Sequence, residues 1–237
     1  MKFRDFLTQV VPAEGLATDD VLASILPLFR EVIETHRADQ VAPLEGLEAL
    51  HVEQSKIWFE TAKRLPIRTN TPRLQQFEAA PLARLEVVAE MRRTSDVATG
   101  DEHTQRSEIG DRSEPLSRPV YLPGYVTWEH EIEHHDPLTD VQSLGLLLAT
   151  LACGFDFSNP ADLNLFVLHR RNLFAIRPNL HPVLASLILR MTELDRRRRP
   201  PDLIALLHTL ENYRDQKVEF DLDLARSAGF QTRDLRG

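Results

Sequence analysis

Thr139-Asp-Val-Gln-Ser-Leu-Gly-Leu-Leu-Leu-Ala-Thr-Leu-Ala-Cys-Gly154 decides how the rest of the chain is read. Thr139 followed three residues later by Gln142 has the form of a capping box, so the spacing predicts a helix that begins here. From Leu144 to Cys153 there is no wide polar face, and a helix of that kind is buried on most sides. The chain is therefore expected to wrap other elements around this one.

Its size and chemistry allow that. A chain of 237 residues with 42% hydrophobic content can build one real core, with or without tails. A net charge of −8 and an isoelectric point near 5.6 argue against a general nucleic-acid-binding surface. The only local basic cluster, Arg196–Arg199, reads as a solvated turn between helices rather than a phosphate patch. The single cysteine, Cys153, lies in the apolar helix, has no partner for an internal disulfide, and fits a reducing compartment. Met1-Lys-Phe-Arg-Asp-Phe-Leu7 mixes charge into its apolar residues, unlike a secretory leader, and the longest apolar run is too short to span a bilayer. The expectation is a soluble, cytoplasmic protein with no membrane partner.

Working outward, Met1–Val10 reads as a short helix and Val11–Thr18 as a loop holding Pro12 and Gly15. Asp19 is the expected cap of a helix to about Ala38, with Val21, Leu22, Ile25, Leu28, Phe29, Val32 and Ile33 on the helical period and Pro27 as a possible kink. Ala49–Val52 and Lys56–Phe59 read as a small hairpin. Leu82–Met91 reads as a helix after Pro81, and the polar stretch at about 92–119 as a mobile loop insertion. Pro160–Phe174 contains a helix. Pro182 starts another, with Val183, Leu184, Leu187, Ile188, Met191 and Leu194 sharing a face. Pro200-Pro201-Asp202 starts a third, with Leu203, Leu206, Leu207 and Leu210 on one side. The organisation expected is an N-terminal segment over 1–18, a domain over 19–214, and a tail or linker over 215–237.

Four segments resemble parts of the C-terminal lobe of protein kinases and follow its order along the chain. Asp140-Val-Gln-Ser-Leu-Gly145 matches the D-x-x-S-x-G of the lobe's central helix, and Arg190-Met-Thr-Glu-Leu-Asp-Arg-Arg-Arg-Arg-Pro-Pro-Asp202 resembles the family's M-L-x-x-D-P-x-x-R-P segment. Tyr121-Leu-Pro-Gly-Tyr-Val-Thr-Trp-Glu129 resembles the end of the activation segment. The helix ending Glu34-Thr-His36 resembles the one that precedes the catalytic loop H-R-D-x-K-x-x-N. The resemblance implies a mainly α, kinase C-lobe-like fold with one small β-hairpin and no N-lobe. It also implies a buried Glu129–Arg199 ion pair, and a role for Asp140 in bracing Ala42–Leu44.

The same register empties the active site. Counting from His36 and back from Ala49-Leu-His-Val52 places Leu44 at the catalytic Asp, Ala49 at the Asn, and Phe59 or Glu60 at the metal-binding Asp. Phosphoryl transfer needs a Gly-rich cover, a Lys, a base and metal-holding groups. No G-x-G-x-x-G occurs, and only Met1–Thr18 precede the first lobe helix. The expectation is a pseudokinase-like module, not an enzyme and without a cofactor. It would bind a protein or an in-cis domain, with direct nucleic-acid binding disfavoured. The C-terminal Asp221-Leu-Asp-Leu-Ala-Arg-Ser-Ala-Gly-Phe-Gln231 loosely resembles the lead-in to large bacterial multidomain helicases of superfamily 1, implying a helicase partner in the same chain.

One rival motif stands against this. His130-Glu-Ile-Glu-His134 matches H-E-x-x-H, in which two His one helical turn apart bind zinc and the Glu activates water. The alternative function is thus a zinc-dependent hydrolase using His130, Glu131 and His134, with Asp136, His169 and His181 as third-ligand candidates by type. Pro137 limits the helix such a site needs, and a solvated acidic, histidine-rich turn is the plainer reading of the segment. Ser143, Trp58 and Trp128 read as packing residues.

Overall fold

The computed structural model describes residues 1–79 and 108–216. It is mainly helical with small two-stranded sheets. Its centre is α5 (Pro137–Cys153), on which Thr139 to Cys153 are all buried. The start lies two residues earlier than the capping-box reading of Thr139. The cap is Asp136, whose Oδ1 accepts the amides of Leu138 and Thr139 at 3.0 and 3.1 Å, and Pro137 fills the first turn, where no donor is needed.

Around it pack α1 (Phe3–Gln9), α2 (Thr18–Arg37), α3 (described over 71–79), α4 (Trp128–Glu131), α6 (Pro160–His169), α7 (Pro182–Met191) and α8 (Leu203–Glu211). Phe3 and Phe6 of α1 join the same core as Phe29, Leu144 and Leu187, so residues 1–18 contribute to the domain itself. α2 runs unbroken through Pro27 and begins at Thr18, with no side-chain cap. Asp19, the expected cap, instead accepts from the Tyr213 hydroxyl at 2.6 Å and from Arg214, tying the end of the domain to its start.

Two short sheets flank the helices. β1 (Gln40–Val41) pairs antiparallel with β4 (Leu65–Pro66). The expected hairpin is β2 (Leu50–Glu53) with β3 (Lys56–Phe59), in the register Leu50↔Phe59 and Val52↔Ile57. Those four residues face the core, and Gln54 and Ser55 between the strands both take positive φ, 49° and 63°, the geometry of a two-residue hairpin turn. Met1 extends the hairpin, its amine donating to Val52 O at 2.8 Å.

Three readings change beyond the caps. α7 stops at Met191, so Leu194 lies beyond the helix, and it packs both against the main core and against a second cluster made by Phe77, Val120, Leu122, Trp128 and Ile132. α3 was not expected, and the expected helix at 82–91 lies outside the described residues. Of the polar stretch 92–119, residues 108–119 are described, and Ile109 bridges Tyr121 there. Of the tail, only Asp215 and Gln216 are described. No helix among the described residues is long and apolar enough to cross a membrane.

Candidate functional site

Asp140 sits in the first turns of α5 with no exposed surface. Three groups converge on its carboxylate. His36 Nε2, at the end of α2, and the Ala42 amide each lie 2.8 Å from Oδ2, and His135 Nε2 lies 2.8 Å from Oδ1. A carboxylate only accepts, so both imidazoles donate through Nε2–H. His135 is itself fixed by paired backbone bonds with Arg68, 2.9 and 2.8 Å. One side chain therefore pins the end of α2, the loop after it and the strand-like segment before α5.

The loop it pins holds Ala42, Pro43 and Leu44. Leu44 is 1% exposed and belongs to the hydrophobic core. Ala49 is half-buried, and Glu60 is exposed, its Oε1 3.9 Å from His51 Nε2. Of the three positions where the kinase resemblance places base, Asn and metal-binding Asp, only Glu60 carries an oxygen in its side chain.

A second polar centre lies under α4. Glu129 has no exposed surface, and its Oε1 accepts from both Arg196 Nη1, at 3.1 Å, and Arg199 Nη1. Arg199 also donates to the carbonyls of Glu193, at 2.6 Å, and Leu138, at 3.1 Å. Arg196 reaches Asp136 Oδ2 at 2.5 Å. The structure thus brings Glu129 and Arg199 together, and adds Arg196 and Asp136. Burial alone would raise the Asp136 carboxyl, but His134 and Arg196 beside it hold it well below the usual carboxylate range. The reading of Arg196–Arg199 as a solvated turn is corrected for its two ends: Arg196 and Arg199 are buried ion-pair partners, while Arg197 and Arg198 stay exposed. Nothing in the run distinguishes the inward pair from the outward one before Glu129 is placed.

Gly145 has a steric role. A Cβ there would stand 2.7 Å from Met191 Cβ and 2.9 Å from Thr192 Cγ2, so the glycine sets how closely α5 and α7 approach.

The H-E-x-x-H segment does not form the helical face its zinc reading requires. α4 ends at Glu131, and Glu133 takes a positive φ of 58°, which turns the chain between the two histidines. Both Nδ1 atoms are acceptors for backbone amides, His130 from Thr127 at 3.1 Å and His134 from Asn70 at 3.1 Å. Glu131 pairs with Arg112 at 2.9 Å. Among the described residues no group of three or more His, Cys, Asp or Glu side chains is placed to hold a metal ion, so Asp136, His169 and His181 complete no triad. The solvated-turn reading fails for the histidines, since His130, His134 and His135 are 7%, 3% and 0% exposed, while Glu133 at the turn is exposed. Burial, with His135 adding to it, pushes His130 down to about 3.

Sequence reading missed Asn70 altogether. Its Oδ1 caps α3 weakly through the Arg73 amide, at 3.4 Å, and its Nδ2 donates to Ile132 O at 2.9 Å. Asn70-Thr71-Pro72 carries the start signal that could have found it. α3 then lays Phe77 flat on Trp128, ring centroids 5.5 Å apart. Beside His36 a groove of about 490 Å³ opens between α2 and the starts of α5 and α8, lined by Ile33, Pro137, Pro201, Leu203 and Ile204.

Comparison of the chain with protein-family models, with curated proteins and with solved structures finds no match.

Proposed function

We propose that this chain is a catalytically inactive, kinase-like binding and regulatory module of a larger bacterial protein, acting on a protein partner or on a domain of its own chain, a superfamily 1 helicase being the fused partner the tail points to. The observation that carries the reading is the contrast at the Asp140 brace. The carboxylate holds the Ala42 amide at 2.8 Å, as a framework residue of a catalytic loop would, while the loop presents buried Leu44 in place of a base. Framework residues Asp140, Gly145, Glu129 and Arg199 all occupy packed or ion-paired positions, whereas positions 44 and 49 carry Leu and Ala, which have no group for the chemistry. Retained scaffold with lost chemistry is what a binding role needs and what phosphoryl transfer cannot use.

The test is direct. Purified protein is incubated with labelled ATP and magnesium, alone and with generic acceptor proteins, and nucleotide binding is followed separately by calorimetry. The expected result is no label transfer and no saturable heat. Transfer abolished by a single substitution would sink the reading.

A further inference from the structure

The groove beside His36 holds one polar group that the fold leaves unspent. Buried Asp140 accepts the His36 Nε2–H at 2.8 Å, which fixes the ring, and in the neutral imidazole the other nitrogen, Nδ1, is then an acceptor. Nδ1 has no hydrogen-bond partner among the described residues and is not sealed from solvent. The side chain, 15% exposed, lines the groove. The charged groups around it are already matched. Arg37 on the rim pairs with Glu34 at 2.5 Å. Asp202 caps α8 through the Ala205 amide at 3.0 Å, and Asp136 caps α5. Each helix that starts at the groove therefore already has its carboxylate, so the place suits an uncharged group rather than an anion. Its walls are Ile33, Leu203, Ile204, Pro137 and Pro201, and Ile204 is 53% exposed. At about 490 Å³ the space falls in the range of roughly 300–1,000 Å³ that ordered ligand sites occupy.

From this we infer that the groove seats an unphosphorylated tyrosine side chain of a partner protein, its ring against the apolar walls and its hydroxyl donating to His36 Nδ1. The inference rests on the binding-module reading and names the anchor the partner supplies. A tyrosine brings a large apolar body with one polar tip, and that tip needs an acceptor once it is buried. Tyrosine is also among the side chains that most often anchor a protein interface. A phenylalanine would cover Nδ1 and leave it unpaired, which is costly for a buried acceptor. A serine or threonine could meet Nδ1 but would leave the apolar walls wet. A phosphotyrosine has lost the hydroxyl proton, and it brings about two negative charges beside Asp202, which lines the same groove.

The experiment uses the full chain with isotope-labelled histidine and follows the imidazole nitrogens by NMR while N-acetyl-tyrosinamide is added. A saturable shift of His36 Nδ1 is expected, with a dissociation constant on the order of 1 mM for so small a probe. N-acetyl-phenylalaninamide and the O-methyl ether of the tyrosine probe lack the donor, and each is expected to bind about fivefold more weakly or worse. The phosphorylated probe is expected to leave Nδ1 unmoved. Ile204→Glu places a charge on an exposed wall residue and should weaken the tyrosine probe about tenfold or more, at unchanged melting temperature. No saturable shift below about 20 mM, equal affinity for the tyrosine and phenylalanine probes, tighter binding of the phosphorylated probe, or a shift that Ile204→Glu leaves intact would each overturn the proposal. ATP calorimetry on the same sample reads the non-catalytic assignment independently, so either can fail alone.

Discussion

Replacing Asp140 by Ala removes one acceptor from three donors. The Ala42 amide and His135 Nε2 are left in residues with no exposed surface, and His36, whose side chain is 15% exposed, can recover water. Each buried orphan costs about 1–3 kcal/mol, so two cost roughly 4 kcal/mol, with little added for the small lost volume. For a domain of this length about 2–4 °C is lost per kcal/mol, which gives a fall in melting temperature of about 8–16 °C. Circular dichroism melts read the total. Amide hydrogen exchange at Ala42 reads the cause, since that proton should lose protection beyond the global change. A melting temperature within about 2 °C of the parent, with Ala42 still protected, would show that Asp140 is not the brace described above.

Glu129→Gln leaves Arg199 buried without its charge partner and should cost about 3–5 kcal/mol in urea unfolding; a loss under 1 kcal/mol would place the stabilisation in the carbonyl contacts of Arg199 instead. Gly145→Ala should destabilise by about 1–3 kcal/mol despite alanine's better helix propensity, because its Cβ meets α7; a rise in urea midpoint would contradict the close approach. His130 titrates near 3 when folded and at about 6.5 when unfolded. The unfolded chain therefore takes up the proton first, and stability fully present above pH 6.5 is lost as pH falls toward 3. At pH 5 the loss is about 2 kcal/mol, read as a drop in urea midpoint that a His130→Asn variant should lack. Asp136, lowered in the fold, adds its own loss only below about pH 4, so between pH 6.5 and about 4 the loss from His130 is read without it.

What the sequence carried was periodic or punctuated. The alternation in Leu50–Glu53 and Lys56–Phe59, the prolines at 160 and 182, and the unbroken apolar run of α5 each state their element locally. Caps were less legible. Thr139 and Asp136 both have the right chemistry, and only the backbone tells which carboxylate or hydroxyl faces the first amides. The site divides in the same way. Glu129 and Arg199 were placed together through a resemblance, whereas His36 and His135 carry no local mark of converging on Asp140, being 104 and 5 residues away from it. The histidines at 130 and 134 misled for the opposite reason. Their spacing is a helical signal, and a left-handed Glu133 cancels it.

The Asp140 junction has a kinetic side. It closes only when residues 36–42 meet a partner about a hundred positions later, with separations of 104 and 98. Closure entropy over such a span grows slowly with length, by about 0.6 kcal/mol per doubling, so the intervening chain can lengthen at small cost. Local helices and the hairpin form before so distant a contact is made, which places the junction late on the folding route. A late contact acts as a latch on the finished domain: its loss should be read mainly as faster unfolding, with the refolding rate nearly unchanged.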